Sequence, residues 1–110
     1  LAGKYAEGVY ATGPNDTSGN PLYQELSAKH QKKFGEDPGT FFFNGYACLQ
    51  ALAAAAEKAG SLDYDAMRAA MFEITVDSPL GPIGFDEKGD VVGAGFSVYK
   101  VIDGKYQQVN

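Results

Sequence analysis

Along the chain, apolar positions first recur at helical spacing and then, beyond Asp77, alternate with polar ones. Gly8-Val9-Tyr10-Ala11-Thr12 is a short β-prone run that Gly13-Pro14-Asn15-Asp16 is expected to end. Ser18-Gly19-Asn20-Pro21 opens a helix: Asn20 can accept from first-turn N–H groups, and Pro21 loses nothing there by lacking one. Leu22, Leu26, His30 and Phe34 follow at four-residue spacing, with Tyr23 beside them, and Gly35 closes the helix. A second helix is predicted from Phe41 to about Ala59, with Thr40 as N-cap and Gly60 as the stop. From Ala51 to Ala56 it is small and apolar on almost every side, which predicts packing on more than one face.

A third helix is predicted within Ser61–Phe72, capped by Asp63, with Ala66, Met67, Ala70 and Met71 on one stripe. Ile74-Thr75-Val76 begins a strand, and Ser78-Pro79 blocks any helical continuation. Gly81 to Phe85 precedes a polar turn at Asp86-Glu87-Lys88-Gly89-Asp90. Phe96 to Ile102 then alternates, Asp103-Gly104 is a two-residue hairpin turn, and Lys105 to Val109 returns as a second strand. The order of strand, three helices and strands belongs to the α/β class. The strands are few for so much helix, so the pattern implies a sheet that this piece lacks. The start, Leu1-Ala2-Gly3, has neither Met nor a signal-peptide pattern, and the chain reads as cut from a longer polypeptide.

Charge and composition narrow the function. The formal net charge is −5, and the one basic cluster, Lys29, Lys32 and Lys33 around His30, runs straight into Glu36 and Asp37. That is a solvated helix face and argues against nucleic acid as a partner. Cys48 is the only cysteine, so no internal disulfide forms, and its apolar neighbours predict a small buried hydrophobe. The apolar stretch Ala47–Ala56 is too short to span a bilayer.

No catalytic or metal pattern emerges. Lys88 and Gly89 occupy the third and fourth places of the acidic run, which does not fit a calcium loop. Gly81-x-x-Gly84 lacks the third glycine and following helix of a dinucleotide fingerprint. No serine has a nucleophile-elbow context, and the one histidine lies on a helix stripe. No cofactor is implied, and an enzyme is not expected.

Phe41-Phe42-Phe43-Asn44-Gly45-Tyr46 is the informative segment. Neighbouring residues on a helix point about 100° apart, so three successive rings cannot all face one core. At least one must face a second surface, and pockets for small ligands use such rings beside a few polar groups. The helix N-terminus also offers N–H groups to an anion.

Three segments carry a family resemblance. The aromatic helix start ending in Tyr46-Ala47, with the Ala/Leu helix after it, resembles the corresponding helix of the leucine/isoleucine/valine-binding proteins of branched-chain amino-acid ABC transporters. Ala6-Glu7-Gly8-Val9 resembles a strand leading to that family's hinge, and Gly81-Pro82-Ile83-Gly84-Phe85-Asp86 with Gly89-Asp90 is similar to its Gly-Pro-x-x-Phe-Asp-x-x-Gly-Asp segment. The resemblance implies the C-terminal part of a two-lobed type I periplasmic binding protein, with three helices and a few strands including a C-terminal hairpin. Residues 1–12 and 96–110 would lie in the second lobe and 15–95 in the first. It implies a solute-binding component of an ABC importer for amino acids or similar small solutes, working with an ABC permease. Its location would be periplasmic or extracellular, lipid-anchored in a Gram-positive organism. By the same resemblance the ligand-binding aromatic is Phe43, with Tyr46 one turn on and Phe42 as the substitute if the helix start shifts. The alternative on the same fold is a ligand-sensing domain of a receptor or regulator. An isolated piece of this kind is expected to self-associate, with Leu49, Leu52 and Ala53 at or near the contact.

Overall fold

The computed structural model describes residues 3–39 and 41–109. The chain divides into two compact units, residues 1–16 with 95–110, and residues 17–94.

The first unit is an antiparallel sheet. A short 3-10 turn, Gly3–Ala6, leads into β1 (Tyr10–Pro14). Strand β1 pairs with β5 (Phe96–Ile102), which pairs in turn with β6 (Lys105–Gln108), giving the order β1-β5-β6. The register pairs Tyr10 with Lys100 and Pro14 with Phe96. Gly13 and Pro14, expected outside regular structure, therefore belong to the strand. Because β1 is an edge, the missing N–H of Pro14 costs no ladder bond. The hairpin turn forms at Asp103-Gly104 as expected, with φ of 53° and 73°. The Glu7 carboxylate accepts from both turn N–H groups, at 3.0 and 3.1 Å.

The second unit holds three helices and a small antiparallel sheet. In α1 (Pro21–Phe34), Asn20 accepts from the Leu22 N–H and Gly35 closes the helix in the left-handed conformation. The expected stripe is graded: Leu26 is buried, His30 half-buried and Phe34 exposed. In α2 (Phe42–Ala59), Thr40, expected as N-cap, lies outside the described residues, and the cap position falls at Phe41, whose side chain cannot accept a hydrogen bond. Gly60 terminates the helix in the left-handed region. The short α3 (Tyr64–Met71) is capped by Asp63, whose carboxylate accepts from the Asp65 and Ala66 N–H groups.

Strands β2 (Val76–Ser78), β3 (Gly81–Phe85) and β4 (Val91–Val92) form the small sheet in sequence order. The polar turn between β3 and β4 is held by the Asp86 carboxylate, which accepts from the N–H groups of Lys88 and Asp90. Ser78 ties this sheet to α1. Its hydroxyl donates to the Gly81 carbonyl and accepts from the Leu80 N–H, while its own carbonyl accepts from the Asn20 side chain at 2.9 Å. Asn20 thus caps the helix and crosslinks it to a strand 58 positions on.

The buried core of this unit includes one stripe of α2, Phe43, Ala47, Ala51 and Ala55, together with Leu26, Ala70 and Ile83 of other elements. Small residues at four-residue spacing let α3 and β2 approach the helix closely. Two expectations are corrected here. Cys48 is exposed, because it lies about 100° round the helix from the buried Ala47. The helix is also covered on one side only: Leu49 is 68% exposed and Leu52 47%. Among the described residues, no helix is long and apolar enough to cross a membrane.

Candidate ligand-binding site

The aromatic run at the start of α2 splays in three directions, as the 100° step requires. Phe43 points inward and is 7% exposed. Its ring stacks on Tyr23 of α1, with centroids 3.9 Å apart and planes 23° from parallel. Phe42 is half-buried and meets the His30 ring edge-on at 4.8 Å and the Phe43 ring edge-on at 5.2 Å. His30 is held in turn by Phe34, at 4.6 Å, and by a hydrogen bond between Nδ1 and the Glu36 carbonyl. Phe41 is the outlier, 77% exposed at the uncapped end of the helix.

The three residues named for ligand contact therefore stand differently. Phe43 has one face taken by Tyr23 and an edge contact with Phe42. Phe42 and Tyr46 are half-buried and keep part of their surface open. Phe41 was not singled out from the sequence, although it offers the freest ring of the run. The sequence pattern puts Phe41 at the first helical position; the structure starts the helix one residue later, which leaves Phe41 at the cap position and exposed.

The backbone adds polar groups beside these rings. The Phe42 N–H is taken by the Gly39 carbonyl at 3.0 Å, and no side chain caps the turn that follows. One turn further along, Asn44 and Cys48 border an apolar hollow of about 250 Å³ floored by Ala47, Ile83 and Phe85. Lys29 pairs with Glu25 at 2.5 Å, and that hydrogen bond and charge raise its pKa. No group of three or more metal-binding side chains occurs among the described residues. The arrangement is one of rings and backbone dipoles, suited to holding a small solute by contact.

The helical unit with its small sheet, and the antiparallel sheet made from both ends of the chain, match the fold of solute-binding proteins of ABC transporters. A leucine binding protein from Thermotoga maritima MSB8 superposes over 98% of this chain and 31% of its own, with a TM-score of 0.77 and 24% identity. The family model for the periplasmic binding protein matches residues 1–105, and the chain belongs to that family. A leucine-, isoleucine-, valine-, threonine- and alanine-binding protein from Pseudomonas aeruginosa is 33% identical over 91% of this chain and 27% of its own length. A solute binding protein of an ABC transporter from Rhodopseudomonas palustris BisB5, in complex with 3,4-dihydroxybenzoic acid, is 30% identical over 97% of this chain and 31% of its own, with a TM-score of 0.71. The chain thus spans less than a third of the length of these relatives. The relatives are named for binding, in line with the expectation that this chain is not an enzyme.

Proposed function

We propose that the chain is part of the solute-capturing component of an ABC importer, and that the start of α2 supplies an aromatic wall for an amino acid or similar small solute. The observation that carries this reading is the splayed run Phe41-Phe42-Phe43, in which one ring is committed to the core and the others are left partly or wholly open. Phe41 and Phe42 meet the solute in this reading, with Tyr46 one turn below. Phe43 stands behind them and, through Tyr23, fixes the angle of α2 against α1. In the two-lobed frame, residues 17–94 belong to the first lobe, and the paired ends of the chain belong to the second. The partner is an ABC permease and the location is periplasmic or extracellular. The P. aeruginosa relative, named for apolar and small amino acids, supports this class of solute.

The R. palustris relative with its bound dihydroxybenzoic acid favours a second reading, an aromatic carboxylate on the same rings. Titration calorimetry with leucine and with 3,4-dihydroxybenzoate separates the two. It requires a polypeptide that also carries the segments the relatives have beyond the matched region. Removing the Phe41 ring should weaken the bound solute by roughly 1–3 kcal/mol. Unchanged affinity in both Phe41→Ala and Phe42→Ala, with the protein folded, would rule out the aromatic wall. The 110-residue chain alone should bind either solute weakly or not at all.

A further inference from the structure

Helix α2 begins without the usual support of a helix end. No side chain caps it, and Phe42, its first residue, gives its N–H to the Gly39 carbonyl at 3.0 Å. A first turn of this kind frays unless tertiary contacts hold it. Among the ring contacts of the described residues, Phe42 meets Phe43, its neighbour on the same helix, and His30 of α1. His30 is thus the ring that reaches it from another element.

The His30 ring is itself fixed by two partners. Gly35 ends α1 in the left-handed conformation, at φ of 75°, and the chain turns so that the Glu36 carbonyl lies 2.9 Å from Nδ1 of His30. A carbonyl oxygen only accepts, so Nδ1 carries the hydrogen, and Nε2 is the acceptor nitrogen of the neutral ring. The Phe34 ring packs on the imidazole with centroids 4.6 Å apart, and the Lys33 ammonium lies over Phe34 at 5.1 Å from its centroid. Rotation of the imidazole would break the hydrogen bond and both ring contacts together. Edge-on ring pairs are directional, so a pinned imidazole gives Phe42 a defined orientation that an aliphatic neighbour would not.

We propose that His30 is a positioning residue for the aromatic wall: pinned by the Glu36 carbonyl and Phe34, it sets the orientation of the Phe42 ring toward the solute. The proposal rests on the reading of the start of α2 as the solute-facing wall. The contact between His30 and Phe42 lies wholly within residues 17–94, and can be tested with no solute present.

The first test uses the 110-residue chain with 4-fluorophenylalanine at position 42 alone, whose fluorine resonance reads the rings around it. Nitrogen-15 shifts of His30, the one histidine, read its tautomer. The Nδ1–H form is expected, and the Nε2–H form would overturn the pinning. His30→Ala is expected to move the fluorine resonance toward its unfolded-chain value while circular dichroism stays native. His30→Phe, which keeps a ring and loses the hydrogen bond, should restore part of the shift. Asn20→Ala, which weakens α1 at its other end, should leave the resonance in place. An unmoved resonance in folded His30→Ala overturns the proposal, as does an equal movement in Asn20→Ala or no recovery in His30→Phe. If His30→Ala does not fold, Phe34→Ala and His30→Phe decide, and an unmoved resonance in both overturns it. The second test titrates leucine into a polypeptide that carries the relatives' remaining segments. His30→Ala should weaken binding less than Phe42→Ala does, and should add nothing on top of Phe42→Ala, because it acts through that ring. Additive losses overturn the proposal. Unchanged affinity in Phe42→Ala would count against Phe42 as a solute contact, and not against the His30–Phe42 contact that the fluorine resonance reads.

Discussion

The two faces of α2 carry opposite kinds of apolar residue. The inner face, Ala47, Ala51 and Ala55 below Phe43, is small and nearly sealed. The outer face carries Leu49 and Leu52, with Phe41 just ahead of the helix, all large and all exposed. Large side chains bury the most area when covered, so the outer face holds the greater unused stabilisation. The inner face is chosen for fit: an Ala stripe lets a neighbouring helix and strand come close, which Leu would prevent. The two sides of one apolar helix thus differ: small side chains where α3 and β2 approach closely, large ones where the surface lies open. At the C-terminal end the outer face runs into a hollow of about 420 Å³ bordered by Leu52, Leu62, Tyr64 and Phe72, which extends the uncovered surface onto α3.

Substitutions on the two faces should separate cleanly. Phe43→Ala should have the largest effect, roughly 3–5 kcal/mol of stability by chemical denaturation, because it empties a buried site and removes the Tyr23 stack. Little stability lost in that variant, with solute affinity reduced, would return Phe43 to the ligand side. Ala51→Leu should follow, at about 1–3 kcal/mol, since an overpacked inner stripe forces α2 away from its neighbours. Asn20→Ala removes a cap and orphans the Ser78 carbonyl, and should cost about 1–2 kcal/mol in the same assay. On the outer face, Leu49→Ala should change the stability of the single chain by less than about 0.5 kcal/mol.

The smallest effect is expected at Glu25–Lys29. The raised Lys29 pKa means that its contribution is complete below the ordinary value of 10.5 and fades as pH rises through the folded-state value. Both groups are exposed, so a melting-temperature comparison of Glu25→Gln with the parent at neutral pH should show almost no change, and added salt should abolish what there is.

Local signals made most of the elements legible. Asn20-Pro21, Gly35, Gly60, Asp63 and Asp103-Gly104 are short-range devices whose geometry follows from one or two residues, and each stands where its chemistry predicts. The strand start was less legible. Gly8, with φ of 82°, belongs to the turn, and β1 then runs on through Pro14, because an edge strand tolerates proline where an inner one does not. Residues whose role depends on distant partners were not legible. Nothing near Cys48 marks it as exposed; that depends on which stripe of α2 the sheet and α3 select. Nothing near Ser78 announces its bond to Asn20, or near Asn15 its bond to Ser97. At the candidate site the sequence established that the rings must diverge. Which ring faces in was decided by Tyr23, a partner 20 residues away that helical spacing had placed only beside the main stripe of α1.

Among the described residues the outer face of α2 is uncovered, and the expectation is that a second copy covers it. Sedimentation equilibrium across a concentration series, on the parent chain and on Leu49→Glu/Leu52→Glu, tests that directly. The account predicts concentration-dependent assembly of the parent, lost in the double variant, with both chains equally helical by circular dichroism. A parent chain that stays a folded monomer at every concentration would contradict it.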